Sequence, residues 1–274
     1  MKKIIKNIFR PIKKIIFKLV YLQKGQAYVS AFNFYSFVFN LNGRIYRENE
    51  FFFIKDDIYK YRFYHRKQGL MAYSNGLKAR GYQIGNDYLL HRVKFQKDDI
   101  VIDCGANNGD LYLYFSKNIR YIGIEPSPIE FSNLSYNIKN QKLINRALYK
   151  NNDELATFYL SSEYGDSSLI KIKNYTEEIK IKTLTLDNLI DEIDQNIKLI
   201  KLEAEGAEPE ILEGLSKNIG KVEFISIDVG YERGELQEST LIPCLNFLMK
   251  RNFELIDFNP NRFVILLKNR GLIN

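Results

Sequence analysis

From about residue 97 onward the chain alternates short β-rich apolar runs with amphipathic stretches, the pattern of a parallel sheet covered by helices. The apolar runs predict strands over Ile100–Asp103, Tyr121–Glu125, Leu143–Ala147, Leu199–Glu203 and Val222–Asp228. Helices are expected over about Asn108–Lys117, Pro128–Lys139, Glu208–Asn218 and Leu236–Arg251. Two closing strands, Phe253–Phe258 and Phe263–Lys268, flank the turn signal Asn259-Pro260-Asn261. Between residues 155 and 185 the pattern becomes strand alternation without a helix, which reads as a β insertion with a polar tip at Tyr164-Gly165-Asp166-Ser167-Ser168. Residues 23–96 read as a small α+β extension, with a strand at Phe51–Ile54 and a helix over Tyr59–Leu77.

At 274 residues, 45% hydrophobic and 27% charged, the composition is that of a globular chain, and no run approaches the roughly 18 apolar residues of a membrane-spanning helix. Cys104 and Cys244 are too few for a disulfide framework, a structural zinc site or a cluster, so a cytoplasmic setting is expected. The net charge of +7 is concentrated at one end: residues 1–22 hold seven basic residues and no acid, leaving a neutral body. At 100° per residue, Ile4, Ile5, Ile8, Phe9, Ile12, Ile15, Ile16 and Leu19 fall on one side of a helix and the Lys and Arg on the other. Pro11 favours a kink. Such a segment suits an anionic membrane surface, which would place the protein at the inner face of the membrane, or packs its apolar side on the body; nucleic acid is the weaker reading.

The chemistry centres on Val101-Ile-Asp-Cys-Gly-Ala-Asn-Asn-Gly-Asp110, followed by Ile124-Glu-Pro-Ser-Pro128. A strand ends at Asp103, a turn carries Gly105, Ala106, Asn107 and Gly109, and a helix is expected from about Asn108, which presents backbone N–H groups to a ligand. Twenty residues after Gly105, Glu125 closes the next strand, where a carboxylate can accept both hydroxyls of an adenosine ribose. A dinucleotide site wants G-x-G-x-x-G; here the second glycine is replaced by Asn107. The G-x-x-x-G turn suits a nucleoside with an amino-acid tail and no pyrophosphate. No Gly-Lys-Ser/Thr follows, so a phosphate-binding loop of that class is excluded.

Together with Asn145-Arg146-Ala147-Leu148, Thr183–Ile190, Ile200–Gly214 and the strand ending at Asp228, these motifs resemble the FkbM family of S-adenosylmethionine-dependent methyltransferases over about residues 97–230. The resemblance implies a class I Rossmann-like α/β fold over 97–274, with a mostly parallel seven-stranded sheet and helices on both faces. It implies S-adenosylmethionine as cofactor, with Asp103, Gly105, Ala106, Asn107, Gly109, Glu125, Pro126 and Ala147 as its binding residues. It also implies methyl transfer, commonly to a hydroxyl of a sugar or another secondary metabolite. One departure is visible: relatives carry Lys-Ile-Asp-Val-Glu-Gly where this chain has Lys201-Leu-Glu-Ala-Glu-Gly206, one methylene longer at the first acid.

Glu203, Glu205 and Asp228 end the fourth and fifth strands and are the expected catalytic group; strand spacing puts Glu203 and Glu205 on one face. They would serve as base or acceptor contacts, or, for Glu203 and Asp228, hold a divalent metal. Glu205 or Glu208 could instead favour a helix N-terminus. Lys201 reads as a strand-edge or structural residue, His65 and His91 as surface or structural. Asp166, Ser167 and Ser168 are either a loop tip or acceptor contacts. The Asp/Asn-Pro-Pro-aromatic signature of nucleic-acid amino-methyltransferases is missing after the fourth strand, and Pro243-Cys244 lies too late for a cytosine-C5 nucleophile. N-methylation of an amino sugar, or a membrane-docked binding protein with a degenerate methyltransferase fold, are the competing expectations.

Overall fold

A computed structural model describes residues 13–55, 60–115, 118–161 and 165–272. The chain divides into two compact units, residues 1–80 and 81–274. The second therefore starts earlier than the expected residue 97: Tyr88, Leu90 and Val93 are buried among its own apolar side chains.

In the first unit, α1 (residues 13–22) and α2 (Gly25–Val38) precede an antiparallel three-stranded sheet of β1 (Ile45–Glu48), β2 (Phe51–Lys55) and β3 (Lys60–Phe63). Next come α3 (Arg66–Tyr73) and the first residues of α4 (Leu77–Asp87), most of which belongs to the second unit. The core is aromatic: Tyr28 meets Phe52 at 4.8 Å between ring centroids, and Phe63 meets Phe52 at 5.6 Å and Tyr73 at 5.1 Å. The expected helix over Tyr59–Leu77 begins instead as β3, because Lys60-Tyr61-Arg62-Phe63 alternates polar and apolar residues and buries Tyr61 and Phe63. Residues 1–12 of the basic arm lie outside the described residues. In α1, Val20 is buried, Phe17 packs edge-on against Tyr35, and Lys13 lies 5.1 Å from the Phe39 ring centroid. Ile15 and Leu19, on the expected apolar side of the helix, face solvent.

The second unit is an α/β sandwich. In order, the chain forms β4 (Ile100–Cys104), β5 (Arg120–Ile124), α5 (Pro128–Asn137), β6 (Lys142–Ile144), β7 (Ala147–Leu148), β8 (Leu155–Leu160), β9 (Glu177–Leu184), α6 (Leu186–Asp191) and β10 (Ile197–Leu202). Then follow α7 (Glu208–Glu213), β11 (Val222–Asp228), the hairpin β12 (Tyr231–Arg233) and β13 (Glu238–Ser239), α8 (Leu241–Met249), β14 (Phe253–Asn259) and β15 (Val264–Asn269). The main sheet has seven strands in the order β14-β15-β11-β10-β4-β5-β6. β15 is antiparallel to both neighbours, and the contiguous run from β11 to β6 is parallel. Strand alternation divides the core. Ile100, Ile102 and Cys104 pack with α6, α7 and α8 on one face; Val101, Leu199 and Phe224 pack with Tyr88, Leu111 and Leu134 on the other. This is the Rossmann-like architecture, with helices on both faces. Among the described residues, no helix is long and apolar enough to cross a membrane.

Several expected elements change at their ends. The helix over Asn108–Lys117 is a five-residue 3-10 turn, Asp110–Tyr114, in an aromatic run of weak helix propensity whose rings pack on the sheet, Tyr112 on Tyr121 at 5.2 Å. Residues 116 and 117 lie outside the described residues. The strand over Leu143–Ala147 divides: β6 stays in the main sheet, while Ala147 pairs with Thr183 in a small sheet of order β7-β9-β8. That sheet is the β insertion, β8 and β9 antiparallel; Tyr164 of its tip falls outside the described residues. The helix from Glu208 stops at Glu213, because the Asp187 carboxylate accepts hydrogen bonds from the backbone N–H groups of Ser216, Lys217 and Asn218 and holds them in a loop. Part of the helix expected from Leu236 is spent on the β12–β13 hairpin, so α8 starts at Leu241.

Candidate active site

β4 lies between β5 and β10, and the chain builds outward on one side before crossing to the other. The C-terminal ends of β4 and β10 are therefore the switch point of the sheet, where such folds open a crevice. Gly105 marks it. Its φ is +73°, and a Cβ there would lie 2.0 Å from the Glu203 carbonyl oxygen, so only glycine lets the two strand ends come this close. Gly109, at φ +92°, is confined in a different way, against Ile138 and Leu134 of the following segment.

The turn between them is clamped from two directions. The Asn107 backbone N–H donates to Glu125 Oε2 at 2.8 Å, and the Ser127 N–H donates to Glu125 Oε1 at 2.8 Å. The Asn133 side chain donates to Asn108 Oδ1 at 2.9 Å and that of Asn137 to the Asn108 carbonyl at 2.8 Å, tying the turn to α5. Asn145 donates to the carbonyls of Glu125 at 2.8 Å and Pro126 at 3.0 Å, which orients the end of β5. Burial, then the nearby Glu130, pushes the Glu125 carboxyl up to about 8 against its two backbone donors. Each Glu125 oxygen uses one acceptor site on the protein, leaving sites for two ligand hydroxyls. A vicinal diol, which donates two hydroxyls, fits that pair of acceptors, as the ribose of S-adenosylmethionine requires. Asp103, Ala106, Asn107 and Gly109 lie in or beside this turn. Ala147 is buried in β7, and Pro126 follows Glu125 directly.

Period-two alternation puts Asp103, Lys201, Glu203, Ser226 and Asp228 on the face of the sheet that carries Val101, Leu199 and Phe224. Lys201, expected as a strand-edge or structural residue, lies on a central strand and is the structural hub of this face. Its ammonium is buried, lies 3.1 Å from Asp103 Oδ1 and 3.1 Å from Glu203 Oε2, and donates to the Gly105 carbonyl at 2.8 Å. Tyr121 donates to Asp103 Oδ2 at 2.5 Å. Asp103 is thus occupied within the protein, supporting the turn from beneath. Arg262, which sequence reasoning did not single out, pairs with Glu203 and lies 3.2 Å from Asp228 Oδ2.

The two acids consequently differ. Burial would raise Glu203, but Lys201 and Arg262 more than reverse this and hold it ionised below the ordinary range. Asp228 is raised, first by burial and then by Glu203 and Glu232, with Arg262 opposing. Glu205 does not share the face of Glu203: β10 ends at Leu202, Glu205 takes a left-handed φ of +49°, and its carboxyl is raised by burial and then by Glu232 and Asp166. Glu232, also missed, is raised by burial and by Glu203. The Glu208 carboxylate holds the turn before its helix, accepting from the N–H groups of Ala204 at 2.8 Å and Gly206 at 3.2 Å. Ser168 is buried and donates to the Glu205 carbonyl at 2.8 Å, fastening the β insertion to the turn after β10. His91 is exposed, and His65 is buried beside Tyr64 in the first unit. Cys104 and Cys244 are buried free thiols.

The cation between Glu203 and Asp228 is the Arg262 guanidinium, and among the described residues no three His, Cys, Asp or Glu are grouped to hold a metal ion. A divalent ion on Glu203 and Asp228 therefore does not fit this arrangement.

No curated protein matches the chain. Solved structures with related folds include an rRNA methylase from Streptococcus thermophilus (14% identity, 69% of this chain and 96% of that one, TM-score 0.39). Others are a ribosomal protein L11 methylase from Lactobacillus delbrueckii subsp. bulgaricus (13%, 69% and 79%, 0.40) and the N-terminal domain of human METTL16 in complex with SAH (13%, 89% and 82%, 0.40). At these scores the likeness carries no weight beside the strand order. The decisive match is to the profile of the methyltransferase FkbM domain, which covers residues 103–261, more than half of the chain, from the glycine turn through Asp228 to the β14–β15 turn. The chain belongs to the FkbM family and is an S-adenosylmethionine-dependent methyltransferase.

Proposed function

We propose that the protein methylates a hydroxyl of a sugar, in polysaccharide, glycolipid or secondary-metabolite biosynthesis, and that Asp228 removes the proton. The observation that carries this reading is the pairing of chemistries at the end of β11. A buried carboxylate of raised basicity, Asp228, is followed three residues later by Tyr231, whose ring is exposed and packs edge-on against Phe263 at 5.3 Å. An aromatic face beside hydrogen-bond acceptors suits a ring with an apolar face and hydroxyl edges.

S-adenosylmethionine supplies an already activated methyl group, so the protein's tasks are alignment and proton removal. Glu203, paired twice, is a weak base; its work is to hold Lys201 and Arg262 in place. Asp228, kept from ionising early by burial and by Glu203, is the stronger base. As the acceptor oxygen takes the methyl, its proton passes to an Asp228 oxygen, with Arg262 steadying the carboxylate beforehand.

The test is transfer from methyl-labelled S-adenosylmethionine to a panel of nucleotide sugars, lipid-linked glycans and amino sugars, with mass spectrometry locating the label. Label on a sugar oxygen is expected. Label on nitrogen would replace this reading with amino-sugar N-methylation, and tight donor binding without transfer to the panel or to cell extract would replace it with a binding protein.

A further inference from the structure

α2 is a fourteen-residue helix without a single charged side chain, yet it is not buried all round. Phe34, Phe37 and Val38 are 66%, 73% and 50% exposed, and at 100° per residue they form one stripe with Ala27 and Ser30, which are exposed too. A solvent-facing helix surface ordinarily carries charge. The neighbouring α1 repeats the pattern: Ile15, Leu19 and Leu22 are 61%, 56% and 55% exposed and lie within a narrow stripe, opposite the side on which Phe17 and Val20 pack. Exposed Lys14 and Lys18 border that stripe.

The charge of this region is one-sided. Residues 1–47 hold ten Lys and Arg, and the first carboxylate in the chain is Glu48. Whatever covers the exposed Phe and Leu side chains must accept apolar groups and welcome a dense positive charge. A second copy of the same face would set Lys14 and Lys18 against like charges. A nucleic acid would meet cations on α1 but none on the Phe-bearing stripe of α2. An anionic bilayer meets both demands, taking Phe and Leu below its headgroups while the lysines stay among the phosphates.

We propose that the first unit docks on an anionic lipid surface through the exposed stripes of α1 and α2, with Phe34 and Phe37 as the inserted side chains. The proposal is independent of the acceptor and of the chemistry assigned to Asp228.

The chain contains no tryptophan, so Phe37→Trp creates a single-tryptophan protein whose emission reports on that position alone. With vesicles of equimolar phosphatidylcholine and phosphatidylglycerol the emission is expected to move to shorter wavelength, and with phosphatidylcholine alone to stay put. Met249→Trp, 56% exposed on α8 in the second unit, is expected to stay put with both. In co-sedimentation with the same vesicles, the full chain carrying Phe34→Ser and Phe37→Ser should bind roughly tenfold or more weakly, and Lys14→Glu with Lys18→Glu by a similar factor. Because all four side chains are exposed or border solvent, circular dichroism should be unchanged. No shift at Phe37→Trp with anionic vesicles overturns the proposal. So does an equal shift at Met249→Trp, an equal shift on uncharged vesicles, a concentration-dependent shift without lipid, which would mean self-association, or a shift produced by duplex nucleic acid instead.

Discussion

The two halves of the active site are built from different materials. On the side proposed for the methyl donor, the Gly105–Gly109 turn and Glu125 are joined by backbone N–H groups donating to one carboxylate, between two strands that are adjacent in the sheet and near in sequence. On the side proposed for the acceptor, Lys201, Glu203, Asp228 and Arg262 meet through side-chain charges from β10, β11 and the turn before β15. The first half is rigid and indifferent to most side chains. The second is an electrostatic balance, in which changing one charge alters the proton affinity of the others.

The largest effect should come from disturbing the balance at its base. Asp228→Asn is expected to lower kcat by about 10² to 10⁴ while leaving donor affinity unchanged within about twofold, measured by single-turnover transfer and calorimetry. Equal losses in kcat and in donor binding would show that the halves are one structure rather than two. Gly105→Ala probes the rigid half. The added Cβ meets the Glu203 carbonyl at a positive φ, and a loss of about 2–4 kcal/mol in urea unfolding is expected.

Glu125→Ala should weaken donor binding by roughly tenfold or more, from loss of a charged acceptor worth about 1.5–3 kcal/mol. The pH dependence has a definite sign. Ribose hydroxyls donate to the ionised carboxylate, whose proton affinity is raised to about 8, so donor affinity should climb as pH rises toward 8 and then level off. In Glu125→Gln that dependence should vanish. Arg262→Met sharpens the contrast further. Without the guanidinium, Asp228 ionises less readily, so the rising limb of the pH–rate profile should move to higher pH by about one unit, roughly a tenfold loss at neutral pH that is recovered in alkali. The smallest effect is expected at Tyr231→Ala: a several-fold rise in the acceptor KM with kcat nearly unchanged, as loss of a stacking surface predicts.

Sequence alone determined the order of the main-sheet strands, α5, the glycine turn and the acid at the end of β5, but neither α6 nor the β12–β13 hairpin. Each feature it determined is local: strand period, glycine spacing and a carboxylate a fixed distance along the chain act over a few residues or one βαβ crossover. Val222–Asp228 emerged with the expected bounds because a strand buried on both faces is a continuous apolar run. Element ends were harder. The 3-10 turn after Gly109, the loop held by Asp187 and the departure of Ala147 to another sheet all depend on partners elsewhere in the chain. Lys201 was within reach, since its two-residue spacing from Glu203 places it on the same face of β10. Arg262 was not. It lies 59 residues from Glu203 and meets it only because β15 runs antiparallel beside β11, and nothing in a stretch reading Asn-Pro-Asn-Arg-Phe specifies which carboxylates will stand opposite. Tertiary structure likewise decided which acid is held ionised and which is raised. Glu203 and Asp228 are equivalent carboxylates in sequence, and what separates them is the arrangement of burial, Lys201 and Arg262 around each, set only when three strands are brought into register.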